Sequence, residues 1–268
     1  MPEPSPQSVE FQDKPLAENH REGPFVEVVR SREEFFCWID DSSSGLEGLE
    51  VVGLLDDREV WARAAQGTGQ LPLDVVIVDP AAEFSSLYRL VDVRNARPLR
   101  VTLPALPGFL KALRLAASLQ LPVRLLPAQP DAPTASELLD AAQFYLHDPM
   151  VEAPVEFFHS VIAAFQGMAE GTLWEFLEQD PAAVPCRDAI GVEQHALDFV
   201  ETRFAELFHE GAECAACRWQ PLCNGYFKWP DAAYDCAGVK RLFAVLESAA
   251  EEIAGDLANP ELSATSAS

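Results

Sequence analysis

The sequence predicts an α/β protein: a partly barrel-like domain of βα units, then helices, then a small cysteine-rich module. Three observations predict this. Short aliphatic runs alternate with amphipathic stretches through the first half of the chain. Beyond Ala128 the alternation stops and helical periodicity takes over. Four of the six cysteines then fall between Cys214 and Cys236, in "CAACRWQPLCNGYFKWPDAAYDC".

Residues 1–23 read as a disordered arm. They hold no apolar core and no basic start of the kind a signal peptide needs. "PFVEVVRS" (24–31) predicts a strand and "REEFFCWID" the helix after it. "LEVVGLLD" (49–56) is a second strand, followed by a helix at "REVWARAA". "LDVVIVD" (73–79) is almost wholly apolar, which predicts a strand buried on both faces. "AAEFSSLYRLVD" follows as one helix. "PLRVTLPA" (98–105) and "LPVRLLPA" (121–128) are two further strands, with "GFLKALRLAASLQ" as the helix between them. Strands separated by helices pair in parallel, because the crossover returns the chain to the same end of the sheet. Five such strands make an open sheet or part of a barrel.

Helices come next. "TASELLDAAQFYL" (134–146) offers Thr134 as N-cap and Glu137 at the capping-box position. "PVEFFHSVIAAFQGM" (154–168) and "TLWEFLEQD" (172–180) follow. A long helix with Ile190, Leu197, Val200, Phe204 and Leu207 on one face then leads to Cys214. After Cys236 an amphipathic helix points Val239, Leu242, Phe243, Leu246 and Ile253 inward. Residues 255–268 read as a flexible tail.

Charge and hydropathy narrow the function. The chain carries 43 acidic against 19 basic residues, and such a field repels nucleic acid and anionic membranes. It suits a basic partner surface. No apolar run approaches the ~20 residues that span a bilayer. The expectation is a cytoplasmic protein with no nucleic-acid or membrane partner. In that reducing setting clustered cysteines bind metal or do redox work more often than they form bridges.

The cluster has the spacing C-x2-C-x5-C-x12-C: Cys214, Cys217, Cys223 and Cys236. Two thiols separated by two residues can turn toward one ion or cluster, and the turn's N–H groups stabilise the thiolates. Zinc usually takes its sulfurs as two short pairs. Three ligands close together and one remote suit an iron–sulfur cluster better, because its ligand positions are more widely spread. Trp219, Leu222, Tyr226, Phe227 and Trp229 would exclude water from such a centre. One zinc ion in a structural staple, and disulfides or free thiols, remain the alternatives.

"CAACRWQPLCNGYF…YDCAGVKRLF" resembles the SPASM domain, the C-terminal extension of many peptide- and protein-modifying radical SAM enzymes. That family's pattern is C-x2-C-x5-C-x3-C, then a gap and a last Cys that often opens a helix with Lys, Arg and Phe. Here the match is Cys214, Cys217, Cys223 and Cys236, then Lys240, Arg241 and Phe243. Asn224 and Gly225 stand where the family has a small residue and Gly. The x3 cysteine falls at position 227, where Phe227 stands. Cys186 alone lies where the first auxiliary cluster finds its other ligands, and a helix is expected there instead of the usual hairpin. The resemblance implies that one auxiliary [4Fe–4S] cluster is kept, on Cys214, Cys217, Cys223 and Cys236, and the other lost. It also implies a degenerate radical-SAM-barrel-like domain over 24–170 and a SPASM-like iron–sulfur module over 171–254. The C-x3-C-x2-C that cleaves S-adenosylmethionine is absent, Cys37 being the only cysteine before Cys186. The expected role is therefore an accessory subunit. It would partner a catalytic radical SAM protein, as a heterodimer that modifies a peptide or protein substrate, and would not be an enzyme on its own. The alternative is a zinc-stapled protein-binding adaptor with no redox role.

Other residues carry weaker signals. His147-Asp148 reads as a helix stop before an acid/base pair. His159 and His209 have no ligand partner at helical spacing. Cys37, between Phe36 and Trp38, reads as a buried core thiol. Cys186 reads as a lone thiol or a vestigial ligand. "GTGQ" (67–70) reads as a turn.

Overall fold

The structure, a computed structural model, describes residues 25–40, 45–66, 70–179, 186–187, 193–194, 199–209 and 213–258. The expected arm, most of the 67–70 turn, Ile190 and Leu197 lie outside the described residues.

Five strands form one parallel sheet in sequential order: β1 (Phe25–Val29), β2 (Leu46–Val52), β3 (Leu73–Val76), β4 (Leu99–Pro104) and β5 (Val123–Leu126). Each strand lies beside its predecessor, so every crossover steps the same way and right-handed crossovers stack the helices on one face. That order has no reversal point. It is the order of a barrel wall and not of a doubly wound sheet. The crossovers are α1 (Arg32–Trp38), α2 (Arg58–Gln66), a broken segment, and α5 (Phe109–Ser118). The broken segment is where one helix was expected. It divides into α3 (Pro80–Glu83), a 3-10 stretch at Phe84–Leu90, and α4 (Val91–Ala96). Asp79 starts it by accepting from the N–H groups of Ala81 and Ala82.

Side chains alternate across the sheet. Leu49, Leu73 and Leu99 form one row, and Val51, Val75, Val101 and Val123 the next. All are buried. The opposite face is not apolar. Glu50, Asp74 and Arg100 stand in register on it, as do Thr102 and Arg124. The expectation that β3 is buried on both faces is therefore corrected: Leu73, Val75 and Ile77 are buried, but Val78 is 53% exposed and Asp74 serves an ion network. Arg100 and Arg124 both reach Asp74 Oδ2 at 2.7 Å, and both reach Glu178.

α6 (Ala132–His147) and α7 (Glu156–Phe165) follow. The N-cap of α6 is Asp131, not Thr134: its carboxylate accepts from the Thr134 N–H at 2.9 Å, and Pro133 occupies the first turn, where its missing N–H costs nothing. α6 stops at His147 with Asp148 as C-cap, and His147 is exposed, which bears out the helix-stop reading. α8 (Leu173–Phe176) opens on a capping box of Thr172 and Glu175.

The region before Cys214 differs from expectation. β6 (Cys186–Arg187) pairs antiparallel with β7 (Glu193–Gln194), so a hairpin stands where the long helix was expected. Helix α9 begins only at Phe199 and ends at His209, with Leu207 buried. After the cysteine segment, α11 (Ala237–Ala258) packs on α6 and α7. The approach is close: a Cβ on Gly238 would stand 2.8 Å from Ala135 Cβ. Val239, Leu242, Phe243 and Leu246 point inward as expected, but Ile253 is 40% exposed. By residue 251 the helix has run past the core, and it continues helical to 258 where a tail was expected from 255. Among the described residues no helix is long and apolar enough to cross a membrane.

Candidate metal centre

The cysteine segment lies outside the carboxyl end of β5. Just past β5, Gln129 donates to the carbonyls of Phe227 (3.0 Å) and Asp231 (2.8 Å). Tyr234 donates its hydroxyl to the Pro130 carbonyl at 2.7 Å. From the other side Trp174 donates to the Asn224 carbonyl at 3.0 Å, and Tyr226 donates to Gln179. Gln179 directly follows Glu178, which is held by Arg100 and Arg124. The sheet's ion network and the cysteine segment are thus tied to adjacent residues of one strand of chain. Leu222, Tyr226, Phe227, Val239 and Phe243 share one continuous core with the sheet.

Three short turns present the thiols. Cys214 sits in a 3-10 turn (Glu213–Ala216), and the Cys217 N–H bonds the Cys214 carbonyl at 3.1 Å. Cys223 ends α10 (Gln220–Cys223). Asn224 (φ 43°) and Gly225 (φ 74°) then adopt left-handed geometry, which aims the N–H groups of Gly225 and Phe227 at the Cys223 sulfur. Cys236 directly precedes α11 and accepts the Lys240 N–H at 2.8 Å, so its sulfur stands at the positive end of a 22-residue helix.

All four cysteines line one small cavity that is partly open to solvent. Phe227, Val239 and Phe243 give it apolar walls, and Glu213, Lys228 and Lys240 add charge. Phe227 is fully buried and its ring centroid lies 6.0 Å from that of Phe243. Of the residues expected to exclude water, Leu222, Tyr226 and Phe227 are buried, Trp219 is half-buried against Phe243, and Trp229 is 43% exposed.

Burial dominates the electrostatics of three of the thiols. It lifts Cys214, pushes Cys223 up to about 11 and pushes Cys236 up to about 12. The Lys228 charge acts in the opposite direction on Cys214 and Cys236. Glu213 is held down at about 2, first by its bond to Lys240. Among the described residues no three His, Cys, Asp or Glu side chains gather at the spacing of a single ion.

The other candidates do not join this site. Cys37 is exposed on α1, contrary to the core reading. Phe35 and Ile39 take the inward positions of that helix and turn the residue midway between them to solvent. His159 and His209 are exposed. Cys186 begins β6. Compared with known proteins, the chain matches no family model, no curated protein and no solved structure.

Proposed function

We propose that this chain is a SPASM-like, single-cluster iron–sulfur protein that partners a catalytic radical SAM enzyme in modifying a peptide or protein. The observation that carries the reading is the convergence of Cys214, Cys217, Cys223 and Cys236 on one apolar-walled cavity. Three features fit those residues to an iron–sulfur group. The four cysteines line one cavity, two backbone N–H groups reach a sulfur, and two ammonium groups face a site that would collect negative charge. Held there, the group would supply one-electron transfer. Four thiols fill a cluster's ligand positions, so relay or scaffolding is favoured over substrate ligation. Phe227 and Phe243 would give the sulfurs apolar neighbours, and Gln129 ties the segment to the chain just past β5. An acidic exterior would steer a basic partner surface.

The test is anaerobic purification followed by iron, sulfide and zinc analysis. About four irons and four sulfides per chain support the reading. One zinc without sulfide would sink it and make the segment the staple of an adaptor.

A further inference from the structure

Lys228 is 5% exposed. A buried ammonium is costly unless it is paired. Its Nζ meets Glu213 Oε1 at 2.9 Å and donates to the Tyr234 carbonyl. Lys240 Nζ donates to the other carboxylate oxygen, Glu213 Oε2. The same carboxylate accepts from the Cys236 N–H at 3.4 Å. One carboxylate therefore clamps two ammonium groups, leaving one net positive charge on the wall of the four-cysteine cavity. Paired to the Glu213 carboxylate and donating to the Tyr234 carbonyl, the ammonium is a fixed charge.

We propose that the Lys228–Glu213–Lys240 triad sets the reduction potential of the four-cysteine centre, with Lys228 as a charge-positioning residue and Glu213 as its clamp. The inference rests on the iron–sulfur reading. The step it concerns is simple: a one-electron donor is oxidised, the centre is reduced, and no bond to the protein forms or breaks. The centre gains one negative charge. A fixed ammonium in a poorly solvated wall favours the more negative form, and a fixed carboxylate disfavours it. Removing the two groups must therefore move the potential in opposite directions, which loosened packing or added solvent would not do.

The experiment is an anaerobic redox titration of the full chain, followed by visible absorbance, with iron and sulfide quantified in each sample. Lys228→Met is expected to lower the reduced-to-oxidised ratio at fixed potential about tenfold, a shift of about 59 mV to more negative values for a one-electron couple. Glu213→Gln is expected to shift it the other way. Should Lys228→Met fail to fold, Lys240→Met, whose side chain is 33% exposed, is expected to give a smaller negative shift. Unchanged potentials, or shifts of one sign in both variants with iron and sulfide retained, overturn the inference while the iron–sulfur reading stands. Zinc without sulfide in the unmodified protein overturns both.

Discussion

At the scale of single residues, the site depends on a pair of left-handed positions. Gly225 has φ +74°, and a Cβ there would stand 2.9 Å from Leu207 Cδ1. Gly225→Ala is therefore expected to cost about 1–2 kcal/mol. The urea midpoint of unfolding should fall, and an unchanged midpoint would remove Gly225 from the account. Cys223→Ala should abolish iron and sulfide loading, whereas Cys37→Ala should leave both intact, since Cys37 lies exposed on α1. Metal analysis of the two variants separates ligand from bystander. The grouping of the four cysteines was legible in the chain because short turns bring the first three together and the start of α11 brings in the fourth. Glu213 and Lys228 were not, although a lone lysine inside "YFKW" was a signal that could have been read. Their pairing spans 15 residues of chain and exists only once the fold brings the two ends of the segment together.

At the scale of elements, the five strands and their parallel pairing were legible because each aliphatic run is bounded by turn residues. The polarity of the sheet's second face was not read, though the strands print it. "LEVV", "LDVV", "LRVT" and "VRLL" each carry a charge at the second position, acidic in β2 and β3 and basic in β4 and β5. Parallel register then sets Glu50 beside Asp74 and Asp74 beside Arg100, while Arg124 sits beside Thr102. Arg124→Leu removes one of the two guanidinium groups on the half-buried Asp74 and should destabilise the fold by about 2 kcal/mol. Denaturant unfolding checks it, and a loss below 1 kcal/mol would mean the network is incidental. The hairpin before α9 escaped the sequence because two-residue strands carry no periodicity, and the helical spacing of Val200, Phe204 and Leu207 invites extension upstream.

At the scale of the whole molecule, the buried thiols make stability depend on alkali. Cys223 at about 11 and Cys236 at about 12 lie above the ~8.5 of a free thiol. A raised thiol value means the folded state holds its proton longer than the unfolded one. The stability this gives is complete below about pH 8.5. It fades as pH rises toward 11 and 12. The metal-free protein should therefore melt at falling temperature across that range. The loaded protein, its thiols already deprotonated, should hold its melting temperature there. Thermal scans of both forms over that range test the difference.

The helix that opens at Ala237 sets an order of events in time. Cys236 leaves the ribosome after the sheet, after α6 and α7, and after the other three thiols. It reaches the cavity only when α11 settles into the groove between helices made earlier. If the proposed centre is filled, filling would be a late step of maturation, taken by a chain whose sheet already stands. The exposed segment around Trp229–Asp231 lies between the third thiol and the fourth. A single protease nick there would leave all four thiols present yet divide them between two pieces, so that the cavity would survive only as long as α11 kept its grip.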